Sequence, residues 1–309
     1  YKNIPWLAKT HTVTALPSVA SLVSLRARPE AAKTRRAFVG FGDPYFSIKQ
    51  AAAAKQTASV QVAAKMRGAM MRGGKVRLRS APKTRGVGQA ELAKLPRLPD
   101  TGEEVVSVAK ALKANLNRDV FLGTRATEKA VKQANLSDYK VVHFATHGLI
   151  PLDLNGLTQP ALALSSPKLT SGTREDGLLT MGEILTLQLD ADWVVLSACN
   201  TAAGEEGGEA FSGLGRAFFY AGTRAILLSN WPVETTSARA LTTDLFKRQA
   251  EHTILSRSQA LQAAMLGLID GPGYIDPESN KVVFSYAHPI FWAPFSLVGD
   301  GGGGKPAIN

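Results

Sequence analysis

The chain contains one cysteine, Cys199, and its setting resembles that of a histidine, His147. One closes the run Leu196-Ser197-Ala198-Cys199-Asn200-Thr201, the other His143-Phe144-Ala145-Thr146-His147-Gly148. A thiol near its free pKa is mostly protonated at neutral pH, so a nucleophilic cysteine needs a base or a nearby positive charge. An imidazole supplies both: it takes the thiol proton before attack on a carbonyl carbon and returns a proton to the departing amine. The negative oxygen of the tetrahedral intermediate needs donors aimed at it, and the backbone N–H groups of Gly148 and Cys199 could serve, Gly148 having no side chain to obstruct the oxygen. Taken alone, the two residues equally fit a plainer reading in which a small thiol and a histidine pack at strand ends. His143, an even number of residues from His147, reads as a structural histidine on a buried strand. A zinc site on His143 and His147 lacks further ligands at a suitable spacing, and no cofactor is expected.

Six apolar runs are positioned to carry these residues: 36–41, 119–122, 140–145, 193–198, 225–229 and 295–298. With helical stretches between them, they describe an α/β chain on a largely parallel sheet. The third, fourth and fifth runs are apolar at consecutive positions, as expected of central strands covered on both faces. Their C-terminal ends carry His147 and Cys199, and that edge of a parallel sheet is where a crevice opens. Val105, Val108, Ala109 and Leu112 have helical spacing and follow Glu103 and Glu104, acids that suit a helix N-terminus. Phe211, Leu214, Gly215 and Phe218 predict a helix after the fourth strand, Leu241, Leu245 and Phe246 one after the fifth, and 258–269 another.

The net charge of +11 would ordinarily raise nucleic acid as a partner. Between Ser47 and Arg97, however, 12 Lys and Arg face a single acid, Glu91, so the whole excess belongs to that segment. Rich in Ala, Lys, Gly and Pro and without interleaved aromatics, it reads as a solvated insert, not a base-stacking surface. Arg72-Gly73-Gly74-Lys75 lacks the remainder of a phosphate loop. No run of about 18 apolar residues could span a membrane. A lone cysteine suits a reducing, cytoplasmic setting. The glycine-rich stretch 299–304 reads as a flexible tail. Tyr1 in place of Met suggests a chain cut from a longer one, with 1–35 the remnant of an N-terminal lobe.

Six motifs in order give the sequence a specific likeness. They are 141–148; Asp176-Gly177-Leu178-Leu179-Thr180; 192–204; Gly208-Glu209-Ala210; Ser229-Asn230-Trp231-Pro232-Val233; and His288-Pro289 with Phe291-Trp292-Ala293-Pro294-Phe295. Together they resemble the CHAT domain family, which belongs with caspases and separases, over residues 36–300 and arguably at Leu16-Pro17-Ser18-Val19. The resemblance implies a caspase-like, mostly parallel six-stranded sheet flanked by helices, a His147/Cys199 dyad and cleavage of peptide bonds in a protein partner. It further implies tetratricopeptide-type repeats upstream. A catalytically silent interaction module on the same fold is the alternative.

Specificity in such a peptidase could rest on a carboxylate that pairs with a basic side chain. In many members acids follow the Trp-x-Val motif; here Glu234 does, but Thr235 stands where a second acid is common. Glu234, Asn230, Trp231 and Asp176 are therefore the candidate substrate-binding residues, with a helix N-terminal role equally open for Glu234. Asp153 and Asp176 otherwise read as surface-loop acids. Gly204, Glu205, Glu206, Gly207 and Gly208 form either a pliable acidic loop or an ordinary strand-to-helix turn.

Overall fold

The computed structural model describes the chain except for residues 17, 29–33, 67–78, 80–91, 152, 155, 170–174, 198–206, 276–278 and 303–309, and gives the backbone alone for 58–66 and 207–212. The helices are α1 (Val19–Arg26), α2 (Ile48–Met66), α3 (Pro99–Ala111), α4 (Leu116–Asp119), α5 (Glu128–Gln133), α6 (Met181–Ile184), α7 (Gly207–Ala221), α8 (Thr235–Glu251) and α9 (Arg257–Asp270). The strands are β1 (Arg36–Gly42), β2 (Val120–Leu122), β3 (Tyr139–Ala145), β4 (Gly148–Leu149), β5 (Ala161–Ala163), β6 (Leu178–Thr180), β7 (Trp193–Leu196), β8 (Ala225–Ser229), β9 (Tyr274–Ile275), β10 (Val282–Phe284) and β11 (Phe295–Gly299).

Six of these form the central sheet in the order β11-β8-β7-β3-β1-β2, parallel except for β11, which runs antiparallel to β8. These are the six strands read from the apolar runs, and β3, β7 and β8 are central as expected. Consecutive residues of each strand enter opposite faces, which is why the runs are apolar without alternation. Phe38, Val141, Trp193, Val195 and Leu227 pack under α3, α8 and α9; Val39, Val142, Val194, Leu196 and Ile226 pack against α6 and α7. Gly40 lets α3 approach β1 closely: a Cβ there would lie 2.6 Å from Val105 and 2.5 Å from the Phe38 ring.

Several expectations need correction. The basic segment is not wholly solvated, because α2 occupies its first part with Ala51 and Ala54 buried, and Arg79 is buried as well. The tail is tied down through Gly302: Gly299 ends β11, and the Gly301 carbonyl accepts from Ser258 N–H at 3.0 Å. Asp153 is buried, its carboxylate accepting the Ile150 N–H at 2.9 Å. Position 119 closes a short helix, and regular pairing of β7 ends at Leu196. The small sheet β4-β5-β6, with Leu149, Ala161 and Ala163 in a third apolar cluster beside Phe46 and Leu95, was not anticipated. No helix among the described residues is long and apolar enough to cross a membrane.

Candidate active site

His147 lies just beyond the end of β3, where the chain turns into β4. The turn is pinned on both sides: Thr146 Oγ1 donates to the Ala163 carbonyl, and the His147 carbonyl accepts from Ala163 N–H at 2.9 Å. That second bond makes Gly148 and Leu162 a non-hydrogen-bonded pair in the antiparallel β4–β5 ladder, which turns the Gly148 N–H away from β5.

The imidazole is fully buried, with the Phe46 ring 5.5 Å away. Its Nε2 lies 2.7 Å from the Pro96 carbonyl oxygen. A carbonyl only accepts, so Nε2 carries the proton and donates it. Burial drives the pKa down to about 4, opposed by the Pro96 contact, so the ring is neutral at physiological pH. Nδ1 is then a lone-pair acceptor, and it is buried without a partner among the described residues. One nitrogen is held by the backbone while the other is left bare, which is the state required of a general base.

Pro96 is itself held in place. Arg97, the next residue, makes a two-pronged pair with Asp43 just past β1 (2.8 and 2.6 Å) and lies over the Tyr45 ring. Asp43 takes a left-handed backbone conformation (φ 47°), and its N–H donates to Thr101 on α3. Burial pushes the Asp43 carboxyl up despite its Arg97 partner.

Cys199 lies outside the described residues, as do Gly204, Glu205 and Glu206. The strand leading to Cys199 is described. In the β3–β7 ladder His143 pairs with Val195, and Ser197 N–H donates to the Phe144 carbonyl at 3.0 Å. Cys199 is as far past Val195 in sequence as His147 is past His143.

Beneath this edge is a polar cluster that the sequence did not reveal. Glu104, on the sheet-facing side of α3, is fully buried and paired with Arg79. Ser197 Oγ donates to Glu104 at 3.1 Å, Thr242 Oγ1 donates to it at 3.4 Å, and His143 Nε2 approaches to 3.3 Å without hydrogen-bond geometry. Burial alone would raise the Glu104 pKa; the Arg79 charge and His143 outweigh it and hold the carboxyl at about 2. Arg79 Nη1 donates to the Ser197 carbonyl (3.2 Å) and hydroxyl (2.7 Å), and Arg79 N–H donates to the Val233 carbonyl at 3.0 Å. His143 is thus wholly buried in a strand, edge-on to Phe38.

The remaining sequence candidates are more scattered. Glu234 is buried and caps α8, accepting from the Thr236 and Ser237 N–H groups at 3.1 and 2.7 Å. Asn230 donates its side-chain amide to Pro294 and Ser296 at the β11 edge. Trp231 is partly exposed next to it. Asp176 accepts the Leu178 N–H at 2.8 Å in the loop before β6. Of these two buried glutamates Glu104 pairs with a guanidinium, whereas Glu234 caps a helix. A signal for it existed: position 104 lies on the same helical face as Val105 and Val108, an odd place for a carboxylate without a buried partner.

Among known proteins, tetratricopeptide repeat protein 28 of Mus musculus is 28% identical over 232 residues, and that of Homo sapiens 29% over 231. Each alignment covers 65% of this chain but only 8% of the relative, so the chain spans a small part of the curated relatives it matches. Among solved structures, the Arg-specific cysteine proteinase gingipain R matches with a TM-score of 0.40 and 12% identity, covering 65% of this chain and 42% of that one. The family model of the CHAT domain matches residues 2–300, nearly the whole length, and the chain belongs to the CHAT domain family.

Proposed function

We propose that the chain is a cysteine endopeptidase that cuts a protein partner, with Cys199 as nucleophile and His147 as its acid and base. The observation that carries this reading is the state of His147: neutral, with Nε2–H given to the Pro96 carbonyl and Nδ1 bare. The β3–β7 register supports it in that Phe144 and Leu196, the last paired residues of neighbouring parallel strands, each stand three residues before a member of the dyad. In the reaction, Nδ1 takes the thiol proton as Sγ bonds to the scissile carbonyl carbon. The same proton goes to the amine as the C–N bond breaks, and water, deprotonated by His147, hydrolyses the thioester. The Gly148 N–H, turned out of its ladder, and the Cys199 N–H are the donors for the oxyanion. On this reading residues 36–300 are the catalytic domain, 1–35 complete its N-terminal lobe, and an upstream repeat region presents the substrate in a reducing cytoplasm.

A Cys199→Ala chain should lose all cleavage of a protein that the parent cuts, and a thiol-directed peptide electrophile should label the parent at Cys199. Equal cleavage by both chains would refute the dyad.

A further inference from the structure

The buried cluster around Ser197 contains one member from an unexpected place. Glu104, Ser197, His143 and Thr242 come from the helices and strands of the core, whereas Arg79 comes from the basic segment between α2 and α3. It is held as a bound peptide residue would be. Its N–H pairs with the main chain at Val233, in the loop after β8, and its side chain descends between Ser197 and Glu104. A main-chain hydrogen bond for affinity together with a pocket for the side chain is how extended peptides are read. Ser197 directly follows β7 and stands two residues before Cys199 in the sequence, so the cluster lies at the end of the strand that leads to the proposed nucleophile.

We propose that Glu104, Ser197 and the Val233 carbonyl form an arginine-selective specificity pocket of this peptidase, and that Arg79 occupies it in cis. The inference rests on the proposed function only in calling the pocket a specificity site; the occupancy stands on the contacts themselves. Guanidinium is the matching group because the acceptors are spread over two nitrogens: Nη1 serves the Ser197 carbonyl and hydroxyl while Nη2 serves the carboxylate. A single ammonium nitrogen could reach the neighbouring hydroxyl and carboxylate oxygens but lacks the planar two-nitrogen fork that meets them together with the Ser197 carbonyl. A neutral side chain would leave the Glu104 charge buried and unpaired. The basic segment is thus a built-in competitor, and substrates with arginine before the cut must displace it.

The test measures binding in the full chain carrying Cys199→Ala, so that catalysis plays no part. The ligand is N-acetyl-arginine methylamide, with the isosteric citrulline compound as control. An occupant present more than about 90% of the time weakens apparent affinity at least tenfold. The arginine ligand should therefore raise the melting temperature of Arg79→Ala,Cys199→Ala saturably, at a concentration at least about tenfold below that needed for Cys199→Ala alone. Citrulline should have no effect, and adding Glu104→Gln should abolish the response. If Arg79→Ala does not fold unaided, Arg79→Lys keeps the charge but fits poorly, and it should bind the ligand with intermediate affinity. Equal affinity in all folded variants, no binding to a folded Arg79→Ala chain, or an equal response to citrulline would overturn the proposal. Failure of Cys199 to label would sink the peptidase reading yet leave this binding result standing, so the two failures are distinguishable.

Discussion

Replacing His147 by Gln should alter how stability depends on pH, by an amount that follows from the burial of the ring. In the unfolded chain histidine titrates near 6.5; in the folded chain burial holds His147 near 4. Above about pH 7 both states are neutral and the residue contributes no pH dependence. As pH falls through 6.5 the unfolded chain takes up a proton that the folded chain refuses, so stability is lost, and the loss levels off only below about pH 4. Two and a half pH units at 1.36 kcal/mol each amount to about 3 kcal/mol at the acid limit, and to about 2 kcal/mol between pH 7 and pH 5. Urea unfolding of parent and His147→Gln at pH 7 and pH 5 isolates this, because every other titrating group is common to both. The parent should lose about 2 kcal/mol more than the variant over that interval. Equal losses would mean that the imidazole is hydrated or already protonated, and the tautomer argument would fall with it.

Two further outcomes follow from the same geometry. Arg97→Ala frees Asp43 and the Pro96 carbonyl together, so it should cost about 1–3 kcal/mol of stability and lower kcat for peptide cleavage about tenfold or more; unchanged kcat would separate Pro96 from the catalytic base. An imidazole near 4 cannot hold a resting thiolate beside it, so alkylation of Cys199 by iodoacetamide should follow a single ordinary thiol ionisation, half-complete near about pH 8.5. A rate plateau extending below pH 6 would reveal a thiolate–imidazolium pair and refute the neutral ring.

The strands could be read in the sequence because each of the central ones is buried on both faces, which produces unbroken apolar runs such as Val141–Val142 and Val194–Val195. His147 was visible for a related reason: the run before it ends abruptly on polar residues. Pro96 was not, because its role belongs to a backbone carbonyl, and any residue has one. Arg79 was hidden among the Lys and Arg of the basic segment, where composition argued for solvent and only tertiary contact selects one position from twelve. Two adjoining acids make Glu104 read as a helix-start acid in the sequence; Glu103, its neighbour, does face outward and pairs with Arg239. Glu234 is the converse: its place after Trp231-Pro232-Val233 suggests a pocket, while local geometry uses it to cap α8. Thr235, standing where an acid is common, instead donates to Asp100 and ties α8 to α3.

The choice of a carbonyl as the partner of His147 has a consequence for how the site could be switched. A carboxylate on Nε2 would stabilise the imidazolium and raise its pKa, favouring a standing ion pair with the thiol. A carbonyl orients the ring without that charge, and burial then dominates. Moving a proton from a thiol at about 8.5 to an imidazole at about 4 is uphill by about 6 kcal/mol. Rehydrating the ring to its ordinary 6.5 would recover about 3 kcal/mol of that, roughly a few hundredfold in rate. On the proposed reading a full pocket and a dry base act in the same direction: Arg79, seated between Ser197 and Glu104, would keep substrate out, and His147, packed against Phe46, would leave the thiol protonated. Displacing Arg79 with a substrate arginine would replace the occupant without leaving Glu104 unpaired, so the exchange costs no buried charge.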